Sequence, residues 1–379
     1  MCTLFGWSKP SGPYAVGLTA WHLEDVRRPD PFQAEPAGPR EWMAQVWYPA
    51  APAPDAKTLG GTVAFPEAGV WYPRPPGPLV TRQEPVASTL RQLIPRYGLP
   101  GLAFHQVTHL QTHAYPEAPF ASAAAPAPLL LFSPGYFIET LTSSSALLEE
   151  LASHGYVVAS LSHPGQSFAT VFPDGRSVGM DLGDPRLSAD PSALGALDDA
   201  SLALWLDDAR LVLDEAQRRG LPGSGDLLAG QVDLGRAGVF GVALGGRLAA
   251  ELCRSDARCV AGISLDGRSG AVDRPFLFVY SEGNRGLNQD AWAQARQPAY
   301  QLGLRRARPL HLSGVSGWFP LLAQLADFEA GSVYRYQQAI NGYTRAFFDR
   351  HVRGREAGLL EAPAAEHPDA HLDVRGAGS

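Results

Sequence analysis

The residues Val239-Phe240-Gly241-Val242-Ala243-Leu244-Gly245-Gly246 read as a strand, a sharp turn and the start of a helix. In a G-x-S-x-G turn of this layout the middle residue is a serine, its hydroxyl exposed as a nucleophile at the top of a sheet. Here the middle residue is Ala243, and a methyl group attacks nothing. Asp266 supplies a carboxylate suited to acid–base work at the end of the next apolar run. His163 follows another such run, and Arg268 and Glu282 flank the same rim, where a polar ligand group would meet them. Tyr136, Phe137, Trp292, Trp318 and Phe319 fall near the same rim, and some of them suit the wall of a mainly apolar small-molecule pocket.

Other candidates carry less. Ser143, Ser144 and Ser145 resemble nucleophiles in type, but their place before an apolar helical run makes them a helix N-cap. His105, His109 and His113 lie in a Pro-rich stretch and fit a solvated or pocket-wall role better than metal binding. His311 falls inside an expected strand. No Cys/His spacing matches a zinc site, and no motif calls for a cofactor.

Positioning these residues requires a sheet. Continuous apolar runs at Pro128–Ser133, Tyr156–Leu161, Val260–Leu265 and Pro275–Tyr280 are those of strands buried on both faces. Glu41–Pro49 reads as an alternating strand and Pro309–Leu312 as the last one. Helical periodicity marks Thr142–His154, Asp198–Arg219, Arg247–Cys253 and Val333–His351. In the second of these, Leu202, Trp205, Ala209, Leu213 and Ala216 share one face. Strands alternating with helices predict an α/β fold: a mostly parallel central sheet, helices on both faces, and loop or lid insertions. Ligands of such sheets sit beyond the carboxyl ends of the strands. That rule places Pro134–Phe137, Ala243, Asp266 and the loop after Leu312 on one rim.

Residues 1–356 are expected to form one domain, with 50–127 an irregular excursion, 168–200 a lid segment and 357–379 a mobile tail. A net charge of -7 argues against a nucleic-acid partner, and no apolar run is long enough to span a membrane. No secretory signal opens the chain, so the expectation is a cytoplasmic protein in which Cys253 and Cys259 are free thiols.

Taken with Gly12–Gly17, Arg28–Phe32, Val46–Pro49, Phe132–Gly135, Ser162–Gly165, Ser264–Gly267 and Tyr343–Asp349, the turn at Ala243 resembles the α/β-hydrolase superfamily. More narrowly, it resembles the plasma-type and bacterial platelet-activating factor acetylhydrolases. The resemblance implies a Ser-His-Asp triad with the nucleophile at Ala243, the acid at Asp266 and the base at Ser316. It also implies an oxyanion hole made by the backbone N–H groups of Tyr136 and Leu244. Two triad members are thus replaced together.

Loss of one triad member already stops turnover, so the second loss is surplus to a simple inactivation. This pairing favours a non-hydrolytic catalyst of proton transfer, isomerisation, epimerisation or cyclisation, acting on an apolar small molecule of secondary metabolism. The alternatives are a serine ester hydrolase held in a Ser-to-Ala inactive form, and a non-catalytic ligand-binding protein.

Overall fold

The computed structural model describes residues 9–32, 38–53, 112–136, 139–168, 170–174, 176–180, 191–318, 332–361 and 365–376. Twelve strands are described among these residues: β1 (Ala15–Pro29), β2 (Pro39–Ala50), β3 (Ala114–Pro116), β4 (Ala127–Ser133), β5 (Val157–Leu161), β6 (Thr170–Val171), β7 (Ser177–Val178), β8 (Val232–Val242), β9 (Cys259–Leu265), β10 (Phe276–Tyr280), β11 (Ala299–Leu304) and β12 (Ala370–Arg375). The helices are α1 (Ser145–Ser153), α2 (Pro191–Gly220), α3 (Leu244–Ser255), α4 (Gln289–Gln294), α5 (Pro309–Leu312) and α6 (Ser332–His351).

Ten strands form one sheet in the order β12-β11-β10-β9-β8-β4-β5-β2-β1-β3, and β6 and β7 make a separate small hairpin. From β5 through β4, β8, β9 and β10 to β11 every pairing is parallel. Antiparallel strands close both flanks, where β5 meets β2, β2 meets β1 and β11 meets β12.

The apolar runs divide residue by residue between two cores, because successive strand side chains point to opposite faces. Leu130, Phe132, Phe240, Val242, Ile263 and Leu265 pack against α1 and α6, where Phe347 and Phe348 are fully buried. Leu129, Leu131, Val239 and Val157 face the other way, onto Trp205, Ala209 and Leu213 of α2 and Leu248 of α3. The helical face expected on 198–219 is therefore the buried one, although α2 begins earlier, at Pro191.

Several expectations are corrected. Pro309–Leu312 is one helical turn, not a strand, since Pro309 at the first position fixes a helical φ and His311 Nδ1 accepts from the Arg308 N–H at the N-cap. The last parallel strand is β11 instead. The stretch expected to be a mobile tail contributes β12, which hydrogen-bonds along β11. Cys253 and Cys259 are joined in a disulfide that ties the end of α3 to the start of β9. Residues 168–200, expected to be a lid, include the β6–β7 hairpin and the start of α2, and most of the 50–127 excursion lies outside the described residues. No helix among the described residues is long and apolar enough to cross a membrane.

Candidate active site

Strand β8 runs into α3 through a single residue, Ala243, whose backbone lies at φ +50° and ψ −114°. That region is disfavoured for any residue with a Cβ, and such outliers collect at functional turns. Ala243 N–H donates to Leu265 O at 2.9 Å, and Ala243 O accepts from Gly246 and Arg247. The turn is thereby fixed from both sides while the methyl group stands exposed at its tip. Leu244 opens α3, so its N–H belongs to the first turn, which has no intrahelical acceptor.

The turn is this tight because its neighbours lack side chains. A Cβ on Gly245 would stand 2.0 Å from Ser133 O, and one on Gly267 would stand 2.2 Å from Ala243 O. A Cβ on Gly135 would lie 3.5 Å from the Ala243 methyl. The ends of β4, β8 and β9 thus converge on Ala243.

Asp266 follows β9 and shares the positive φ of the elbow, at +51°. Its Oδ1 accepts from Ser281 N–H at 2.8 Å, and its Oδ2 is a buried oxygen that no donor meets with hydrogen-bond geometry. Burial raises its pKa, and the nearby Ser281 and Asn284 only partly offset the rise. Asn288, also buried, locks the following loop by donating to Gly267 O and accepting from Ser269 N–H. Arg268 is exposed beyond it.

Ser316 is buried in the 3-10 turn Gly314–Trp318, and its hydroxyl donates to Ser313 O at 3.1 Å. Its hydroxyl is thus satisfied within its own turn. Trp318 ends that turn, while Phe137 and Phe319 lie outside the described residues, as do His105 and His109. His113 pairs with Glu149 on α1.

His163 is fully buried, not aligned with the exposed rim. Its ring stacks on Trp205 at 3.5 Å, and its Nε2 meets Ser133 Oγ at 2.8 Å. Burial, helped by the charge of Arg40, pushes its pKa well below the ordinary histidine value, so the ring is neutral. It braces the end of β4, next to the elbow. The Tyr136 ring tilts against the same indole, their centroids 5.0 Å apart.

His311 is likewise buried on α5, where Nδ1 accepts from Arg308 N–H and burial lowers its pKa to about 4. The three serines at the start of α1 do not cap it through a side chain: Ser143 Oγ accepts from Thr140 N–H, and Ser145 Oγ donates to Thr142 O.

Sequence reasoning missed Glu139. Its carboxyl is 3% exposed, accepts from Gly135 N–H at 2.8 Å and takes a hydrogen bond from Ser313. Only its place four residues after Gly135 hints at this role. Among the described residues no cluster of three or more His, Cys, Asp or Glu could hold a metal ion.

No protein-family model matches this chain, and no curated protein matches it either. Among solved structures it is similar to a ferulic acid esterase from Streptomyces cinnamoneus. The TM-score is 0.73 and the identity 25%, over 97% of this chain and 99% of that one. The chain has the α/β-hydrolase fold. In the hydrolase fold the junction of β8 and α3 is where a nucleophile is displayed, and the strained elbow here keeps that shape with an alanine at its tip.

Proposed function

We propose that this hydrolase-fold protein has an ester-directed site, that of a serine ester hydrolase in an inactive form. It takes a carboxylic ester of an apolar acid and forms no acyl-enzyme with it. The observation that carries this reading is the geometry of Ala243: an exposed side chain at φ +50°, at the head of α3 and between Gly135 and Gly267. Such a turn exists to present an atom to a ligand above backbone donors. The likeness to a ferulic acid esterase supports an ester as the ligand, and an aromatic acyl group as the first to try. The resemblance of the sequence motifs to platelet-activating factor acetylhydrolases points to the same chemistry.

In this reading the ester carbonyl oxygen lies against the N–H groups of Leu244 and Tyr136, donors that survive any change of side chain. The carbonyl carbon faces the Ala243 methyl. No nucleophile attacks it, and Ser316 offers no base. Asp266 would hold the acid's place, with Ser281 and Asn284 beside its carboxyl.

The test is reconstruction. Ala243→Ser alone is expected to give slow turnover of methyl ferulate, and Ala243→Ser with Ser316→His to exceed it by about 100-fold. Rapid turnover by Ala243→Ser alone would show that only the nucleophile is missing. A folded double variant without turnover, combined with no ester binding by the native chain, would overturn the ester reading.

A second reading rests on Asp266 alone. Its unpartnered oxygen and raised pKa suit a group that moves a proton, which would serve isomerisation or cyclisation of an apolar small molecule. There Asp266→Asn abolishes the reaction, whereas a ligand-binding role leaves affinity largely unchanged in that variant.

A further inference from the structure

Glu139 is a carboxyl group buried beside the elbow, and no basic side chain pairs with it among the described residues. A buried ionisable group without a counter-charge is costly, so its presence needs a reason. Burial raises its pKa, and its two hydrogen bonds offset only part of that rise.

Those two bonds lead in different directions. One goes to the N–H of Gly135, directly before Tyr136, and the other to the hydroxyl of Ser313. Ser313 in turn accepts from Ser316 through its carbonyl. The backbone of Glu139 is held as well, since its carbonyl accepts from Phe168 N–H at 3.1 Å. The turn after Ser313 is pressed against the start of α1, where a Cβ on Gly314 would stand 2.1 Å from Ser143 O. The carboxylate and the Ala243 methyl both lie within 4 Å of the point where a side chain on Gly135 would begin.

We propose that Glu139 is the positioning residue of the oxyanion loop, its carboxyl bridging Gly135 and Ser313 so that the Tyr136 amide is held facing the ester. This inference rests on the ester reading of the site. Glu139 touches no substrate. It acts through Gly135, whose peptide orientation sets that of the next amide. A bridge of this kind needs an acceptor for Gly135 and a second polar atom for Ser313, and a glutamine side chain supplies both. An isosteric apolar side chain supplies neither.

The experiment compares Glu139→Leu and Glu139→Gln in the full chain by two measurements. The first is hydrogen exchange of the Gly135 amide without ligand. The second is affinity for methyl ferulate, a planar ester, and for the matching methylphosphonate monoester, a tetrahedral anion. Glu139→Leu is expected to speed Gly135 exchange about tenfold and to weaken the phosphonate about tenfold, with the planar ester changed less than about threefold. Glu139→Gln is expected to stay close to the native protein in both. If Glu139→Leu does not fold, Ser313→Ala cuts the other end of the bridge and is expected to weaken the phosphonate selectively.

The proposal fails if Glu139→Leu leaves exchange and phosphonate affinity unchanged, or weakens both ligands equally. It also fails if Glu139→Gln behaves like Glu139→Leu, for then the charge matters and not the bridge. Should the native protein bind neither ligand, the ester reading falls, and Gly135 exchange still decides whether Glu139 holds the loop.

Discussion

Replacing Ala243 with glycine isolates the strain in the elbow. The native backbone at φ +50° and ψ −114° is one that a Cβ disfavours, at a cost of about 1–3 kcal/mol. The methyl is exposed, so removing it opens no cavity and loses little buried area. Against the relief stands the greater freedom of glycine in the unfolded chain, worth about 0.4–1 kcal/mol. The balance favours Ala243→Gly by about 1 kcal/mol. Urea unfolding should show a higher midpoint with an unchanged slope, since the surface exposed on unfolding is the same. Ala243→Val provides the opposite sign, because a β-branched side chain fits this backbone worse and should cost about 1 kcal/mol or more. A destabilised glycine variant beside a neutral valine variant would refute the argument that the elbow is strained.

Other expectations follow from the supports of the site. Changing Cys253 and Cys259 together to serine should lower stability by about 2 kcal/mol, the loop-closure value for so short a loop, read as a lower thermal midpoint that reductant reproduces in the native protein. Arg40, fully buried, bonds Asp208 at 2.8 Å and Asp30 at 3.3 Å, so Arg40→Met should cost about 3 kcal/mol in chemical unfolding, because buried Asp208 is then left with Arg28 as its cationic partner. A Cβ at Gly267 would collide with Ala243 O, so Gly267→Ala should reduce both stability and ligand affinity, measured by unfolding and by titration with a ferulate ester. For Glu150, burial acts to raise the pKa, but hydrogen bonds from His154 and Ser11 outweigh it and hold it down at about 2. Because the folded value lies below the unfolded one, that stability is present above about pH 4.5 and fades as pH falls toward about 2. The advantage of the native protein over Glu150→Gln should shrink by about 2 kcal/mol across that window.

The parallel core was legible because strands buried on both faces are continuous apolar runs, as in Leu129–Phe132 and Phe276–Tyr280. β11 was not, since Ala299–Leu304 places Gln301 and Gly303 among its apolar residues. β12 was hidden further, because Ala370–Arg375 is a short edge strand in which no residue is buried. In Pro309–Leu312 four residues carry too little periodicity to separate strand from helix, and the opening proline was the one usable sign. At the site, the elbow, Asp266 and Ser316 were all found from local patterns. Glu139 had none, because what gives it meaning is Ser313, distant in sequence and adjacent only in the fold. The redox state of Cys253 and Cys259 was likewise beyond spacing alone.

The packing around Ala243 has an evolutionary consequence. Gly245 and Gly267 leave no room for a side chain, whereas the tip of the elbow points outward into open space. Saturation mutagenesis should therefore draw a ring of forbidden positions around a tolerant centre. Chemistry can be removed from such a centre, or returned to it, by changing one exposed side chain while the surrounding backbone stays as it is. A lineage that lost its nucleophile here would keep the socket, and with it a short path to a different reaction.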